Sequence, residues 1–221
     1  GMMNFAVIRR DDCYYVDKNR FIPMIEDVDK FFFFIRPRRF GKSLTVNLFI
    51  NEYDHFTNAI FADPESLHRY TNETHGEGYL RAFFNKVKAG TYSSIERCFI
   101  TGVSPVTMDD LTNGFNIGTN YSLSPKFNEM IGFTEEEVRQ MLTYYSTTSH
   151  FNHTVDELLD IMQPWYDNYC FAQGRYGETT MYNSNMVLYF IKNYLDNDGK
   201  APQNMIESNI RVDYEKLRML I

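Results

Sequence analysis

The sequence is poor in cysteine and has no long hydrophobic run. Its three cysteines, Cys13, Cys98 and Cys170, are odd in number and widely spaced, which fits neither a disulfide framework nor a zinc site. No apolar run approaches the roughly 18 residues of a membrane span, and no charged-then-apolar leader is visible. We therefore expect a cytoplasmic protein with reduced thiols.

Positive charge is also scarce, since 22 lysines and arginines stand against 29 aspartates and glutamates, for a formal net charge of −7. This balance argues against a broad nucleic-acid-binding surface. The five histidines show no spacing with carboxylates that suggests a metal site. One local cluster is basic, and its charges suit a triphosphate better than a long duplex: Arg36, Arg38, Arg39 and Lys42.

The most informative motif is a hydrophobic run that leads into a Gly-Lys-Ser turn. Residues 31–35 form a continuous apolar run, and Gly41, Lys42 and Ser43 follow after a short basic loop. In a phosphate-binding loop the glycine lets the backbone approach a phosphate, the lysine reaches the β- and γ-phosphates, and the serine is a ligand of Mg²⁺. The pattern predicts a strand, a loop and then a helix whose N-terminus faces an anion. Its usual first glycine would stand at position 36, where the chain has Arg36.

A second, acidic motif has two interpretations. The apolar run at 48–50 followed by Asn51 and Glu52 fits a second strand and a turn. The apolar spacing of residues 43–61 equally fits one long amphipathic helix, in which Glu52 is a solvated residue. Between Ser43 and Asn51 lie only residues 44–50, whereas a crossover between parallel strands takes about a dozen residues or more. We therefore expect a missing segment near 44–50, through a deletion or through a join between separated segments.

Several motifs along nearly the whole chain carry a family resemblance. They are Tyr14-Tyr15-Val16-Asp17-Lys18, Arg36-Pro37-Arg38-Arg39-Phe40-Gly41-Lys42-Ser43, Asn51-Glu52-Tyr53-Asp54-His55-Phe56, Thr101-Gly102-Val103-Ser104-Pro105, Leu111-Thr112-Asn113-Gly114-Phe115-Asn116, Trp165-Tyr166-Asp167-Asn168-Tyr169 and Met181-Tyr182-Asn183. With these motifs the chain resembles the bacterial AAA-ATPase-like family, whose members often carry a PD-(D/E)xK nuclease-like domain at the C-terminus.

The resemblance implies an α/β fold with a reduced P-loop NTPase-like parallel sheet and a C-terminal helical lid, and it implies ATP and Mg²⁺ as ligands. In that family the loop at 36–43 binds the phosphates although it lacks the first glycine. Ser43 and the residue at position 51 would hold the metal, and Glu52 would polarise the attacking water. Thr101 or Ser104 would sense the γ-phosphate; an ordinary Gly/Pro loop is the alternative.

Two departures from the family pattern matter most: the residue at position 51, and the short distance from Ser43 to Asn51, where the family has a long segment with another strand and several helices. Asn51 stands where the family usually has an aspartate, and a neutral oxygen stabilises Mg²⁺ less than a carboxylate does. The sequence also contains no Asp followed by a (D/E)-x-K strand, so nuclease chemistry is not expected of this chain.

The chain is expected to divide into an α/β domain at 1–133 and a helical, lid-like subdomain at 134–221. Further strands are predicted at 13–16 and 94–100, with a helix after the first of them and another at 76–89. Thr134 and Glu137 form a capping box. Helices of the subdomain are predicted at 135–146, 154–166, 184–196 and 211–220, and the aromatics at 165–169 are expected to pack.

The function expected from these observations is that of an ATP-binding P-loop protein with weak Mg²⁺-dependent ATPase activity. One alternative is a catalytically silent nucleotide-binding or protein-interaction module, which Asn51 and the short middle favour. Another is a nucleic-acid-associated partner of a nuclease system, for which the acidic net charge gives no support.

Overall fold

The computed structural model describes residues 13–37, 39–42, 50–51, 79–102, 117–175 and 177–207. By their contacts the residues group into two compact units. The sheet unit comprises residues 20–38, 47–122 and 215–221, and the helical unit comprises residues 1–19, 39–46 and 123–214. The chain therefore crosses from the sheet unit into the helical unit between residues 38 and 39, inside the predicted phosphate loop.

A parallel sheet with the strand order β2-β3-β1-β4 forms the sheet unit. Its strands are β1 (Phe31–Ile35), β2 (Ile50–Asn51), β3 (Cys98–Gly102) and β4 (Thr119–Asn120). β1 lies between β3 and β4, and four of its five side chains are buried, as expected for a parallel strand covered on both faces. The predicted strand at 31–35 and the α/β class are confirmed.

The two faces of β1 pack against different partners. On one face, side chains of β1 and β3 share a buried cluster with Phe84 of the helix α2 (Tyr79–Gly90); the strand residues are Phe33, Ile35, Cys98 and Ile100. On the other face, the ring centroid of Phe32 lies 4.6 Å from that of Phe99 and 5.8 Å from that of Tyr121. Apolar and aromatic burial on both faces therefore fixes β1 in the middle of the sheet.

Two local predictions are wrong. Residues 13–18 have no regular secondary structure, so the strand predicted at 13–16 is absent. The strand predicted at 94–100 instead spans Cys98–Gly102, because residues 91–94 form the turn that ends α2 and the Ser94 N–H donates to the Gly90 carbonyl at 2.8 Å. The helix expected before β1 is present as α1 (Ile22–Glu26).

The pairing of β2 with β3 decides between the two interpretations of residues 43–61. Ile50 pairs with Ile100 and Asn51 with Thr101, both in parallel register. A single helix through residues 43–61 is therefore wrong, and the strand interpretation holds for residues 50 and 51. Residues 43–49 and 52–78 lie outside the described part of the chain.

Three predicted helices of the helical unit are confirmed. They are α3 (Glu135–Thr148), α4 (Val155–Tyr166) and α5 (Ser184–Asp196). α3 begins with the predicted capping box of Thr134 and Glu137, and α4 begins with the same arrangement at Thr154 and Glu157. The helix predicted at 211–220 lies outside the described residues.

The three helices bury a common apolar core. Its buried members include Val138, Met141, Leu142, Leu158, Met162, Tyr166, Val187, Phe190 and Tyr194. Tyr166 is fully buried and its hydroxyl donates to the Met205 carbonyl at 2.6 Å, so the packing role expected of this aromatic is confirmed. The same expectation is wrong for Trp165, which is 51% exposed.

Within the helical unit, a partly buried ion pair joins the segment at residues 13–18 to the start of α3. Lys18 Nζ lies 2.7 and 2.6 Å from the two carboxylate oxygens of Glu137 and donates to the Glu129 carbonyl at 2.9 Å. Glu137 therefore serves both the capping box of α3 and this attachment. In the described part of the chain no helix has the length and apolarity needed to span a membrane.

Candidate functional site

Arg36, the first residue of the predicted phosphate loop, points into the sheet unit. It is 1% exposed, its backbone N–H donates to the Gly102 carbonyl at 3.1 Å, and its Nη1 donates to the carbonyl oxygens of Ile35, at 2.9 Å, and Ser122. Its guanidinium also lies over the ring of Phe34, with 4.1 Å from Cζ to the ring centroid. The side chain therefore links the end of β1 to the segment that follows β4.

Burial lowers the pKa of the Arg36 guanidinium to about 9, so the side chain still carries its proton at neutral pH. Arginine tolerates such a site because its charge is delocalised and its fixed donors match the carbonyl oxygens around it. The donors of Nη1 are directed at backbone oxygens of the protein. Arg36 thus occupies the place of the usual first glycine with a buried side chain that donates to backbone carbonyls.

Arg39 begins the part of the loop that belongs to the helical unit. Its backbone has φ of +65°, which is uncommon for a residue with a side chain. Its carbonyl oxygen accepts hydrogen bonds from the Asn185 N–H and the Ser184 hydroxyl, both at 3.2 Å, at the start of α5. Its Nη1 lies 3.5 Å from a carboxylate oxygen of Glu207, which also accepts from the side-chain amide of Asn185 at 2.8 Å.

Phe40 anchors the loop in the helical unit. The ring is buried and meets the rings of Tyr169 and Phe171 edge-on, with centroids 4.7 and 5.4 Å away. Its carbonyl oxygen accepts from the Gly132 N–H at 3.2 Å. A Cβ at position 132 would lie 2.9 Å from the Phe40 ring, so only glycine fits there without a shift.

Gly41 and Lys42 end the described part of the loop. Gly41 has φ of +86°, in the left-handed region that favours glycine. Lys42 has helical backbone conformation and is 4% exposed. The predicted order of strand, loop and helix start is therefore present through Lys42, and Ser43 lies outside the described residues.

The carboxyl edge of the sheet carries two further predicted residues. The register places Thr101 of β3 between Phe34 of β1 and Asn51 of β2. Thr101 is fully buried, and its hydroxyl has no hydrogen-bond partner among the described residues. Open parallel sheets bind ligands beyond the carboxyl ends of their strands, so this orphaned hydroxyl lies where a ligand is expected.

A family comparison bears on the same part of the chain. The model of the AAA-ATPase-like family, described as "Predicted AAA-ATPase", matches residues 1–49 and 45–112, which together make up half of the 221 residues. The chain belongs to the AAA-ATPase-like family. The match contains the loop at 36–43, Asn51 and Thr101. No curated protein and no solved structure matches the chain.

The structure describes only some of the predicted site residues of this AAA-ATPase-like chain. Asn51 and Thr101 adjoin in the sheet unit, Arg39 through Lys42 are held in the helical unit, and Pro37 is half-buried. The side chain of Asn51 is not described, and Arg38, Ser43, Glu52 and Ser104 lie outside the described residues. Within the described part of the chain no group of three or more metal-ligating side chains converges.

Sequence reasoning missed the residues that support the loop from a distance. Ser122 contacts Arg36, Gly132 contacts Phe40, and Ser184, Asn185 and Glu207 surround Arg39. Three of them left a signal: Asn183 caps α5, which puts Ser184 and Asn185 in its first turn, and Gly132 precedes a capping box. For Ser122 and Glu207 the sequence holds no comparable signal.

Proposed function

We propose that the loop at 36–43 binds the phosphates of ATP together with Mg²⁺. The observation that carries this is the course of the chain from a buried parallel strand, through Gly41 with its left-handed backbone, into helical conformation at Lys42. Backbone N–H groups at the start of a helix, together with a lysine, provide positive potential for a phosphate. The match to the AAA-ATPase-like family supports the same assignment.

The remaining roles in this proposal follow the chemistry of each side chain. Lys42 neutralises the β- and γ-phosphates, and the buried hydroxyl of Thr101 is the partner for a γ-phosphate oxygen or its water. Ser43 and Asn51 hold Mg²⁺, which commonly takes one or two protein oxygens and completes its shell with phosphates and water. Glu52 orients the attacking water. Bound Mg²⁺ would supply electrostatic stabilisation of the charge that develops on the phosphates.

Arg36 has a different role from Arg38 and Arg39 in this proposal. Its guanidinium bonds to backbone carbonyls inside the sheet unit, so we assign it to holding the start of the loop. Arg38 and Arg39 are the arginines that supply positive charge toward the ligand, together with Lys42. Pro37 and Phe40 shape the loop, the first by its fixed φ and the second by its buried ring.

We further propose that this chain hydrolyses ATP slowly and that its middle is shortened. Asn51 supplies no charge to the metal, which favours a weak ATPase or a silent nucleotide binder. The family model matches as two stretches that overlap at residues 45–49, and only residues 43–49 join Lys42 to the parallel strand β2. The divided family match and the short connection to β2 both support a missing segment near residues 44–50.

In this proposal residues 1–133 form the P-loop α/β domain and residues 134–221 the lid-like subdomain, although residues 1–19, 39–46 and 123–133 group with the helical unit by their contacts. The three helices and their shared core at 135–196 support the second assignment. We propose that the protein acts in the cytoplasm, in line with its free cysteines.

Isothermal titration calorimetry with Mg-ATP tests the nucleotide site. We expect binding by the wild type and none by Lys42→Ala, because the lysine neutralises phosphate charge. Lys192→Ala, which removes an exposed lysine from α5, is the matched control and should bind as the wild type does. Equal affinity in wild type and Lys42→Ala would refute the site, and no binding by any variant would favour an interaction module without nucleotide.

A further inference from the structure

The backbone of the phosphate loop is held by the first turn of α5. The N–H groups at the start of a helix have no intrahelical partner. In α5 the N-cap Asn183 accepts from the N–H groups of Asn185 and Met186. The Asn185 N–H also donates to the carbonyl of Arg39 at 3.2 Å, so part of the helix terminus is used to hold the loop.

Ser184 contributes a side chain to the same contact. Its hydroxyl donates to the Arg39 carbonyl at 3.2 Å, and the side chain is buried. A Cβ built on Gly41 would lie 3.4 Å from the Ser184 Oγ. The loop therefore also passes close to this hydroxyl at Gly41, two residues after Arg39. Ser184 thus bonds to the loop at Arg39 and lies beside Gly41, the two described loop residues with positive φ.

This contact fixes the orientation of one peptide in the loop. The Arg39 carbonyl points at α5 only while Arg39 keeps its left-handed backbone, which disfavours residues with a side chain by roughly 1 to 2 kcal/mol. With only the Asn185 N–H left to hold the carbonyl, the peptide would relax more readily toward a commoner conformation, which would reorient the N–H groups that follow. Those N–H groups are the ones expected to face a phosphate.

We propose that Ser184 is a positioning residue of the nucleotide site, which presets the Arg39–Lys42 backbone for phosphate binding. The inference rests on the proposed function of the loop. Ser184 contacts the loop and not the ligand, so its loss should weaken binding moderately. Removing one neutral hydrogen bond that preorganises a site corresponds to about a fivefold rise in Kd.

The test compares Mg-ATP affinity and thermal stability in four forms of the chain. These are the wild type, Ser184→Ala, Ser184→Thr, which keeps the hydroxyl, and Ser146→Ala as control. Ser146 also donates its hydroxyl to a backbone carbonyl, that of Thr143 at 2.8 Å in α3, away from the described contacts of the loop. If Ser184→Ala does not fold, Ser184→Cys takes its place, because it keeps most of the volume with a much weaker donor.

We expect Ser184→Ala to raise the Kd for Mg-ATP about fivefold at a temperature well below its melting point, with Ser184→Thr close to the wild type and Ser146→Ala within about twofold. A purely structural serine would lower the melting temperature and leave the Kd unchanged, and that result would overturn the inference. If the wild type binds and Lys42→Ala does not, an unchanged Kd in Ser184→Ala refutes only the positioning role. A wild type that binds no Mg-ATP refutes both proposals.

Discussion

Arg36 and Ser122 are joined by a hydrogen bond at the end of β1, and a second hydrogen bond joins Ser122 to Ile35. The guanidinium of Arg36 donates to the Ser122 carbonyl, and the Ser122 hydroxyl accepts from the backbone N–H of Ile35, the neighbour of Arg36, at 2.8 Å. Both residues are buried. Arg36, at the position that usually carries the first glycine of a phosphate loop, therefore holds the end of β1, where the chain leaves the sheet unit.

The burial of Arg36 leads to a prediction about stability. Arg36→Met keeps a long apolar side chain over Phe34 but leaves the Ser122 carbonyl without its donor, so we expect a loss of about 2 to 3 kcal/mol of unfolding free energy. Urea unfolding followed by circular dichroism measures the loss. Arg175→Met, at an exposed position, is the control and should change stability by less than about 0.5 kcal/mol. An Arg36→Met chain with wild-type stability and lost ATP binding would instead make Arg36 a ligand-binding residue.

Glu207 places a negative charge beside a cation of the phosphate loop. Its carboxylate lies 3.5 Å from Arg39 Nη1, and both side chains are partly exposed. Glu207→Gln keeps an acceptor for the Asn185 amide while it removes the charge that competes with phosphate. We expect Mg-ATP affinity to rise about two- to fivefold at low salt, in keeping with the small energies of exposed ion pairs.

The effect of Glu207→Gln should shrink as salt is added, because ions screen exposed charges. Calorimetric titrations at two salt concentrations measure this. Glu136→Gln, an exposed residue in the first turn of α3, is the control for a general change in net charge. Weaker binding by Glu207→Gln would mean that the carboxylate holds Arg39 in the geometry that phosphate needs.

Asp167 makes the stability of the helical unit depend on pH. Burial raises the pKa of its carboxyl group above the ordinary value of 3.8, and one carboxylate oxygen has no hydrogen-bond partner among the described residues. A raised pKa means that the folded state holds the proton more tightly than the unfolded state, so stability falls as the pH rises from about 3.8 through the raised value.

Asp167→Asn should therefore have a higher melting temperature than the wild type at pH 7, and the difference should shrink as the pH approaches 4. The amide can still accept the hydrogen bonds of Thr180 and Gln163 but carries no charge to desolvate. Thermal melts at both pH values check this, with Asp160→Asn at an exposed position of α4 as control. A lower melting temperature for Asp167→Asn at pH 7 would indicate that the carboxylate is stabilised by its surroundings.

The features predicted correctly from the sequence are those encoded by neighbouring residues. β1 was predictable because a continuous apolar run fits a strand buried on both faces, and α3 because Thr134 and Glu137 lie at capping-box spacing. β3 begins four residues and ends two residues later than predicted, since the turn after α2 depends on contacts back to the Gly90 carbonyl.

The contacts that support the loop could not be predicted, because each joins residues far apart in the chain. Ser122 lies 86 residues from Arg36, and Glu207 lies 168 residues from Arg39. From charge alone Arg36 looked equivalent to Arg38 and Arg39. Its burial follows from Phe34 and Ser122, and no local pattern of letters encodes that pairing.

The last prediction concerns turnover by the unmodified chain. Asn51 pairs with Thr101 at the carboxyl edge of the sheet, where the family usually has an acidic residue for Mg²⁺. A neutral oxygen stabilises the metal and the developing phosphoryl charge less than a carboxylate does. This difference should raise the barrier to hydrolysis by about 3 kcal/mol and slow hydrolysis roughly a hundredfold.

We expect the unmodified chain to bind ATP but to release phosphate at a rate near the background of Lys42→Ala. Asn51→Asp should increase the rate if the rest of the site is intact, and Asn120→Asp on the exposed strand β4 is the matched control. Steady release by the unmodified chain at about 1 per second, lost in Lys42→Ala, would show that Asn51 supports full activity.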